Sequence, residues 1–461
     1  MDIKHMVVAV VVGVATCTAQ AEDARGYWNG AIGNSLNVIV RFNTTAEGRW
    51  EATMSVPKQN LETAVEELVV TPEQVSFSLP RFRASYLARW NSQENAWVGT
   101  WSQGKGSPLV LRRVDAQALE ALKPKRPQEA AIAARASTYA SSEVLFSNPA
   151  TQVKLAGTFT VPQGKGPFPA VVLVHGSGSL DRDSEVFGHK SFLVLADHLS
   201  RQGIAVLRYD KRGIAKSSGS YKGATMFDLA DDAEAAIAFL RARAEVDPGK
   251  IGVLGHSEGG LIAPLLASRN PAVAFVVTLA APGVRGDILL AEQLALTAKA
   301  RGVPADAIAK ERALNQALFA AMVSEPMLEN AKQKASLVMD AAERDGVVPA
   351  GRGQVLIERF ATPWFHTMLS YDPAPALNAT RQPILVLNGA LDLQVPAAMD
   401  LPAIRTALSG NPRAIVKELP SLNHLFQTAK TGSIAEYGVV EETIAPVALE
   451  TISDWIRATI K

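Results

Sequence analysis

A decapeptide near the middle of the chain restricts its fold more than any other stretch. Ile251-Gly-Val-Leu254 is an apolar run suited to a buried strand. Gly255, Ser257 and Gly259 follow in G-x-S-x-G spacing, and the apolar segment 261–267 reads as a helix packed on a sheet. Strand, sharp turn and helix in this order are what make the spacing informative. The turn forces its serine into a strained backbone conformation, and the flanking glycines remove side chains that would collide there. A hydroxyl held at the carboxyl end of a sheet, beside the Glu258 amide at a helix N-terminus, has the placement of a nucleophile. An ordinary loop serine does not need this spacing.

At 461 residues the chain exceeds one average domain, so two or three are expected. Lys and Arg number 46 against 45 Asp and Glu, a balance that gives no footprint for nucleic acid. Near the start, Lys4 and His5 precede the apolar run 6–15, and Ala19-Gln-Ala21 fits a small-x-small cleavage site. That run is too short to span a bilayer as a helix, so residues 1–21 read as a secretory signal peptide. The single cysteine, Cys17, lies inside it, preceded by Thr16 where a lipoprotein signal carries a small residue. The mature chain is then expected to lack disulfides, thiolate metal sites and a thiol nucleophile. Export without disulfides points to a bacterial periplasmic or secreted protein. With no other long apolar segment, stable membrane insertion is not expected.

From residue 26 to 113 the apolar pattern has a period of two. Segments 36–42, 50–56, 75–79, 86–90, 96–101 and 109–111 read as half-buried strands, punctuated by Asn43, Gly48, Asn91 and Gly104. Trp28, Trp50, Trp90, Trp97 and Trp101 fall here, which suits the core of a small antiparallel barrel or sandwich better than a ligand platform. Residues 114–141 are Ala-rich and broken by Pro124 and Pro127, as a connector would be. From 142 to 461 the pattern becomes α/β. Apolar strands 170–174, 205–209, 251–254, 274–279 and 384–387 alternate with helical segments, predicting a mostly parallel, doubly wound sheet with an antiparallel edge pair near 144–146 and 155–161. Residues 284–380 hold helix-like segments and no sheet strand, and so read as an inserted helical cap.

An activated serine needs a base and an orienting acid, supplied in such a sheet by the ends of later strands. Asp392 follows the 384–387 strand and His424 follows the 415–419 strand, in the order Ser, Asp, His. His175 and His256 have the positions of shaping residues. His189 and His198 lie at or in an earlier helix, and His366 lies at the end of the cap; His424 alone has both chain order and loop position. Two backbone N–H donors are needed for a developing oxyanion. Glu258 supplies one amide, and the glycine-rich loop His175-Gly-Ser-Gly178 the other, most naturally through Ser177. That loop has neither P-loop nor dinucleotide-binding spacing.

His175-Gly-Ser-Gly178 with Asp181-Arg-Asp183, Arg208-Tyr-Asp-Lys-Arg-Gly213, Gly255-His-Ser-Glu-Gly-Gly260 and Asn388-Gly-Ala-Leu-Asp392 resemble exported bacterial α/β-hydrolases of the serine aminopeptidase-like and carboxylesterase group, with an N-terminal β-domain. Ala215 departs from the pattern, standing where the family often has glycine. The resemblance implies the α/β-hydrolase fold, the triad Ser257, Asp392 and His424, hydrolysis of short-chain acyl esters, and no metal or organic cofactor. Three functions remain open at this point. A carboxylesterase would use Trp364, Phe365 and Met368 as an acyl pocket, though these equally suit packing of cap on core. A serine exopeptidase would need an anion for a substrate amino terminus, with Glu311, Glu325, Glu329 and Glu358 available. A non-catalytic exported binding protein would work through its β-domain.

Overall fold

The computed structural model describes residues 24–33, 36–57, 61–122, 124–135 and 138–461. The expected signal segment, Cys17 included, lies outside them. The described residues form two compact units that divide between residues 123 and 124.

The first unit is an antiparallel meander whose strands run from Gly26–Ile32 to Lys105–Val114. Successive strands pair, except Leu61–Ala64 with Glu66–Val70, and Gly26–Ile32 also pairs with Lys105–Val114, placing Trp28 opposite Arg113. The two ends of the sheet, Leu61–Ala64 and Glu66–Val70, are halves of one run bent at Val65. The front half pairs with Trp50–Val56 and the rear half with Gln74–Leu79, while the Val65 N–H donates to Ala52 O at 3.0 Å. The sheet therefore closes into a small barrel, of the width that side chains alone can fill. They do fill it. Trp28, Trp90 and Trp97 meet edge to face with centroids 5.2, 5.9 and 6.1 Å apart, the arrangement aromatic quadrupoles favour. Phe42, Phe77, Leu109 and Leu111 complete the core. The Tyr86 hydroxyl reaches the carbonyls of Trp97 and Leu109, both at 3.1 Å, and burial pushes its pKa up.

The second unit is built on an eight-stranded sheet. Its order is Tyr139–Ser147, Lys154–Pro162, Ala205–Tyr209, Phe168–Val174, Val246–His256, Phe275–Leu279, Ile384–Gly389 and Ala414–Leu419. The first two strands are antiparallel and the remaining six parallel. Alternate residues of each central strand serve opposite faces, so these strands are apolar throughout. Val171 and Leu173 pack under Ser191–Arg201 and Pro446–Thr459. Val172 and Val174 pack under Met226–Arg241, Glu258–Arg269 and Ala397–Ala407. This is the α/β-hydrolase arrangement. Between the strands Phe275–Leu279 and Ile384–Gly389 the chain forms six helices, from Gly286–Ala300 to Ala374–Ala379. Residues of five of them, with Val348 and Ala361 beside them, gather a core of their own around Leu318, Phe319, Met322 and Met339.

The segment expected as a connector, 114–141, is divided between the units. Its helix Ala116–Leu122 falls in the first and its helix Pro127–Ala134 in the second. Arg126 donates to the carbonyls of Phe187 (2.9 Å), Gly188 (3.1 Å) and Gly438 (3.0 Å). Gln128 and Glu129 bond Thr443, and Glu129 also accepts from the Lys190 N–H.

Candidate active site

The strand Val246–His256 ends in a turn at Ser257, which caps the helix Glu258–Arg269 with φ 54° and ψ −114°. Few L-residues adopt this region, and the strain is held by close backbone contacts on both sides. A Cβ on Gly255 would lie 1.9 Å from Gly259 O, and one on Gly259 would lie 2.1 Å from Val174 O. Only glycine fits at either place. The Ser257 N–H is fixed on Leu279 O at 2.9 Å.

Asp392 follows the strand Ile384–Gly389 and is buried. Its Oδ1 accepts the N–H groups of Gln394 and Val395, each at 2.8 Å. Its Oδ2 accepts Nδ1–H of His424 at 2.8 Å, which leaves His424 Nε2 as the second ring nitrogen. Ser257 and His424 both line one cavity of about 390 Å³. His256 supports this loop from the side: its Nε2 donates to the His424 carbonyl at 2.9 Å, with the two rings 4.9 Å apart. Burial, and then the His424 ring, push His256 down to about 4, so it stays neutral.

The other histidines are bonded elsewhere. His175 Nε2 donates to Asp181 O at 2.8 Å, and burial, followed by the Lys211 ammonium, pushes it down to about 3. His189 bonds Thr443 Oγ1 and Tyr437 O, His198 bonds Ser453 Oγ, and His366 bonds the carbonyls of Met322 and Glu325.

Gly176 and Ser177 line the cavity together with Glu258. A Cβ on Gly176 would come within 3.3 Å of Ser257 Cβ, so the loop backbone runs directly past the serine. Glu258 does more than the sequence suggested, where only its amide was given a part. Its buried carboxylate accepts Trp364 Nε1–H at 2.6 Å and pairs with Lys211 Nζ at 3.3 Å. Lys211 also donates to Gly176 O at 2.6 Å and lies 5.1 Å from the Tyr221 ring centroid, and the Tyr221 hydroxyl accepts the Gly178 N–H at 3.0 Å. Burial lowers the Lys211 pKa against the pull of Glu258. Neither Lys211 nor Tyr221 was singled out by the sequence. The only signal was the Arg208–Gly213 run, whose other charges form structural pairs: Arg208 with Asp183, Asp210 with Arg182, Arg212 with Asp232.

Trp364, Phe365 and Met368 all line the cavity, together with Leu289, Leu290, Val395 and Leu425. The packing role holds for them as well. Phe365 meets Phe319 edge to face and lies tilted against Phe360 in the cap core, and Met368 packs against the core of the sheet. Among the described residues, Glu258, already paired, is the one Asp or Glu in the lining. Of the four cap glutamates, Glu325 pairs with Lys334, Glu329 with Lys332 and Glu358 with Gln354; none of the four lines the cavity. Among the described residues no three His, Cys, Asp or Glu side chains gather at metal-ligating range, and no helix is long and apolar enough to cross a membrane.

Residues 166–421, more than half of the chain, match the family model described as serine aminopeptidase, S33. The chain belongs to this family. The match to the S33 model includes Ser257 and Asp392 and ends three residues before His424. The protein is 28% identical over 302 residues to a Thermotoga maritima protein named esterase EstD, covering 66% of this chain and 65% of that one. It is 32% identical over 127 residues to an uncharacterized Mycobacterium tuberculosis protein, covering 27% of this chain and 41% of that one. The chain thus spans less than two thirds of the length of each of these relatives. The structure of the Pyrococcus furiosus esterase Pf2001 is 16% identical with a TM-score of 0.41, covering 69% of this chain and 93% of that one.

Proposed function

We propose that this S33-family protein is a serine hydrolase acting on short-chain carboxylic esters. One observation carries the reading: a serine on a strained strand-to-helix turn and a histidine bonded to a buried aspartate open together on a cavity with apolar walls. Ser257 Oγ attacks the ester carbonyl carbon while His424 Nε2 takes its proton. Asp392 holds Nδ1–H, which fixes the tautomer and stabilises the imidazolium. The amides of Ser177 and Glu258 receive the oxyanion. As the tetrahedral species collapses, His424 returns the proton to the leaving alcohol. Water, deprotonated by His424, then releases the acid and restores Ser257.

The name of the Thermotoga relative supports an ester substrate. The apolar lining supports it too, because an aminopeptidase has to hold a cationic amino terminus and Glu258, the one carboxylate of the lining among the described residues, is already paired. The exopeptidase reading therefore ranks second, despite the family's description. A binding-protein role for the barrel ranks third, since its tryptophans are occupied with one another. We further propose export to the periplasm or beyond, from the signal-like residues 1–21.

Fluorophosphonate labelling of the protein and of Ser257→Ala, with p-nitrophenyl butyrate and aminoacyl-anilides assayed in parallel, tests the assignment. Labelling lost in the variant, with the ester preferred, is expected. Faster turnover of the anilides would move the protein to the exopeptidase reading, and absence of labelling in both proteins would remove Ser257 as nucleophile.

A further inference from the structure

We propose that Lys211 is a positioning residue for the oxyanion hole, holding the Gly176–Ser177 peptide with its N–H toward Ser257 and tying that peptide, through Glu258, to Trp364 of the cap. The inference rests on the esterase reading above and deepens it.

The geometry is that of one peptide plane. In a trans peptide the carbonyl of one residue and the N–H of the next point in opposite directions. Lys211 Nζ holds the Gly176 carbonyl at 2.6 Å, and Lys211 is not part of the cavity wall, whereas Gly176 and Ser177 are. Anchoring the carbonyl on the protein side directs the Ser177 N–H to the cavity side. Free rotation of that peptide would cost the site a donor, and Gly176 and Gly178 on either side of Ser177 make the local backbone permissive of it. The second anchor of the loop is the Gly178 N–H on Tyr221, whose ring lies beside Lys211.

Lys211 also polarises the peptide it holds. A donor bonded to a carbonyl strengthens the N–H on the other side of the same amide, and the effect is larger where water is excluded. Lys211 is 3% exposed and Glu258 1% exposed. Glu258 has two parts in this arrangement: its backbone N–H is the other proposed oxyanion donor, and its carboxylate balances the buried ammonium. The opposite carboxylate oxygen holds the Trp364 indole at 2.6 Å. Both donors and one wall of the acyl cavity are thereby fixed by a single buried ion pair. A hole assembled in advance has no reorganisation to undergo as charge develops, which is where such donors lower barriers most.

The test uses the full chain, Lys211→Met, and the double variant Lys211→Met/Glu258→Gln, which removes the unpaired buried charge that the single change leaves behind. kcat and KM are measured on p-nitrophenyl butyrate, with the inhibition constant of butylboronic acid, whose tetrahedral adduct on serine occupies the hole. In both variants kcat is expected to fall about 100-fold with KM within about threefold, as when one oxyanion donor is lost, and boronate affinity falls in step with kcat/KM. The double variant regains thermal stability without regaining kcat. Recovery of kcat together with stability, or wild-type kcat and boronate affinity in either variant, overturns the proposal and leaves Lys211 only as the counter-charge of Glu258. If wild type itself neither labels at Ser257 nor hydrolyses the ester, the underlying reading falls and this proposal falls with it. A wild type that labels at Ser257 and hydrolyses the ester, with variants that keep its kcat and boronate affinity, fails this proposal alone and leaves the esterase reading standing.

Discussion

The rim of the sheet and the helical cap both face the cavity, and they are built by different means. On the rim, Ser257 is held by backbone that tolerates no extra atom, Asp392 by two amides, and Lys211 and Glu258 by each other. The cap side presents the apolar side chains Leu289, Leu290, Phe365 and Met368. Directional bonds hold atoms to fractions of an ångström, whereas apolar packing specifies volume and tolerates repacking. On the function proposed above, chemistry falls to the rim and choice of substrate to the cap.

The sharpest way to break that division is Asp392→Asn. It should lower kcat about 10⁴-fold with little change in KM, by presenting the wrong His424 tautomer. A change confined to KM would put Asp392 outside the chemistry. Gly259→Ala should follow in size, because its methyl group would sit 2.1 Å from Val174 O. We expect a loss of about 3 kcal/mol or more in urea unfolding, and a stable variant would mean that the turn is looser than drawn.

Asp400 tests the junction between the two regions. It is buried, accepts the Gly283 N–H at 2.7 Å where the chain leaves for the cap, and burial, with the Asp392 charge, raises its carboxyl to about 7. Raised in the folded state, this group contributes stability that is complete below its unfolded value near 4 and is lost as pH rises toward 7. Asp400→Asn keeps the acceptor and cannot ionise. Its stability relative to wild type should rise by a few kcal/mol between pH 4 and 7 and then level off, and a flat difference would show the carboxyl already ionised. The smallest effect belongs to the cap: Met368→Ala should raise kcat/KM for octanoyl over butyryl esters about tenfold, with kcat on butyrate nearly kept. A comparable loss of kcat on both esters would erase the division.

Local pattern carried much of this architecture. The turn at Ser257 is written in five consecutive residues, and cap helices such as Leu328–Arg344 follow from period and from the break at Pro326. Relations between distant residues were not legible. The bond from Trp364 to Glu258 spans 106 positions, and nothing in either neighbourhood distinguishes a tryptophan that donates from one that merely packs. The barrel's closing run, Leu-Glu-Thr-Ala-Val-Glu-Glu-Leu-Val-Val, lacks clean alternation because its two halves pair with different neighbours around the bend at Val65. Ala215 was legible as a departure and now has a physical face: its φ of 46° lies in the region that favours glycine.

Arg126 has a practical bearing on where the gene is cut. A fragment designed to start at residue 142, where the alternating pattern begins, would discard Arg126, Gln128 and Glu129. These residues fasten the carbonyls and amides around Phe187, Lys190, Gly438 and Thr443. Phe187 and Tyr437 stand in the cavity wall, so such a fragment would keep every reacting group and lose the fastening behind part of that wall. Starting at Pro124 retains it.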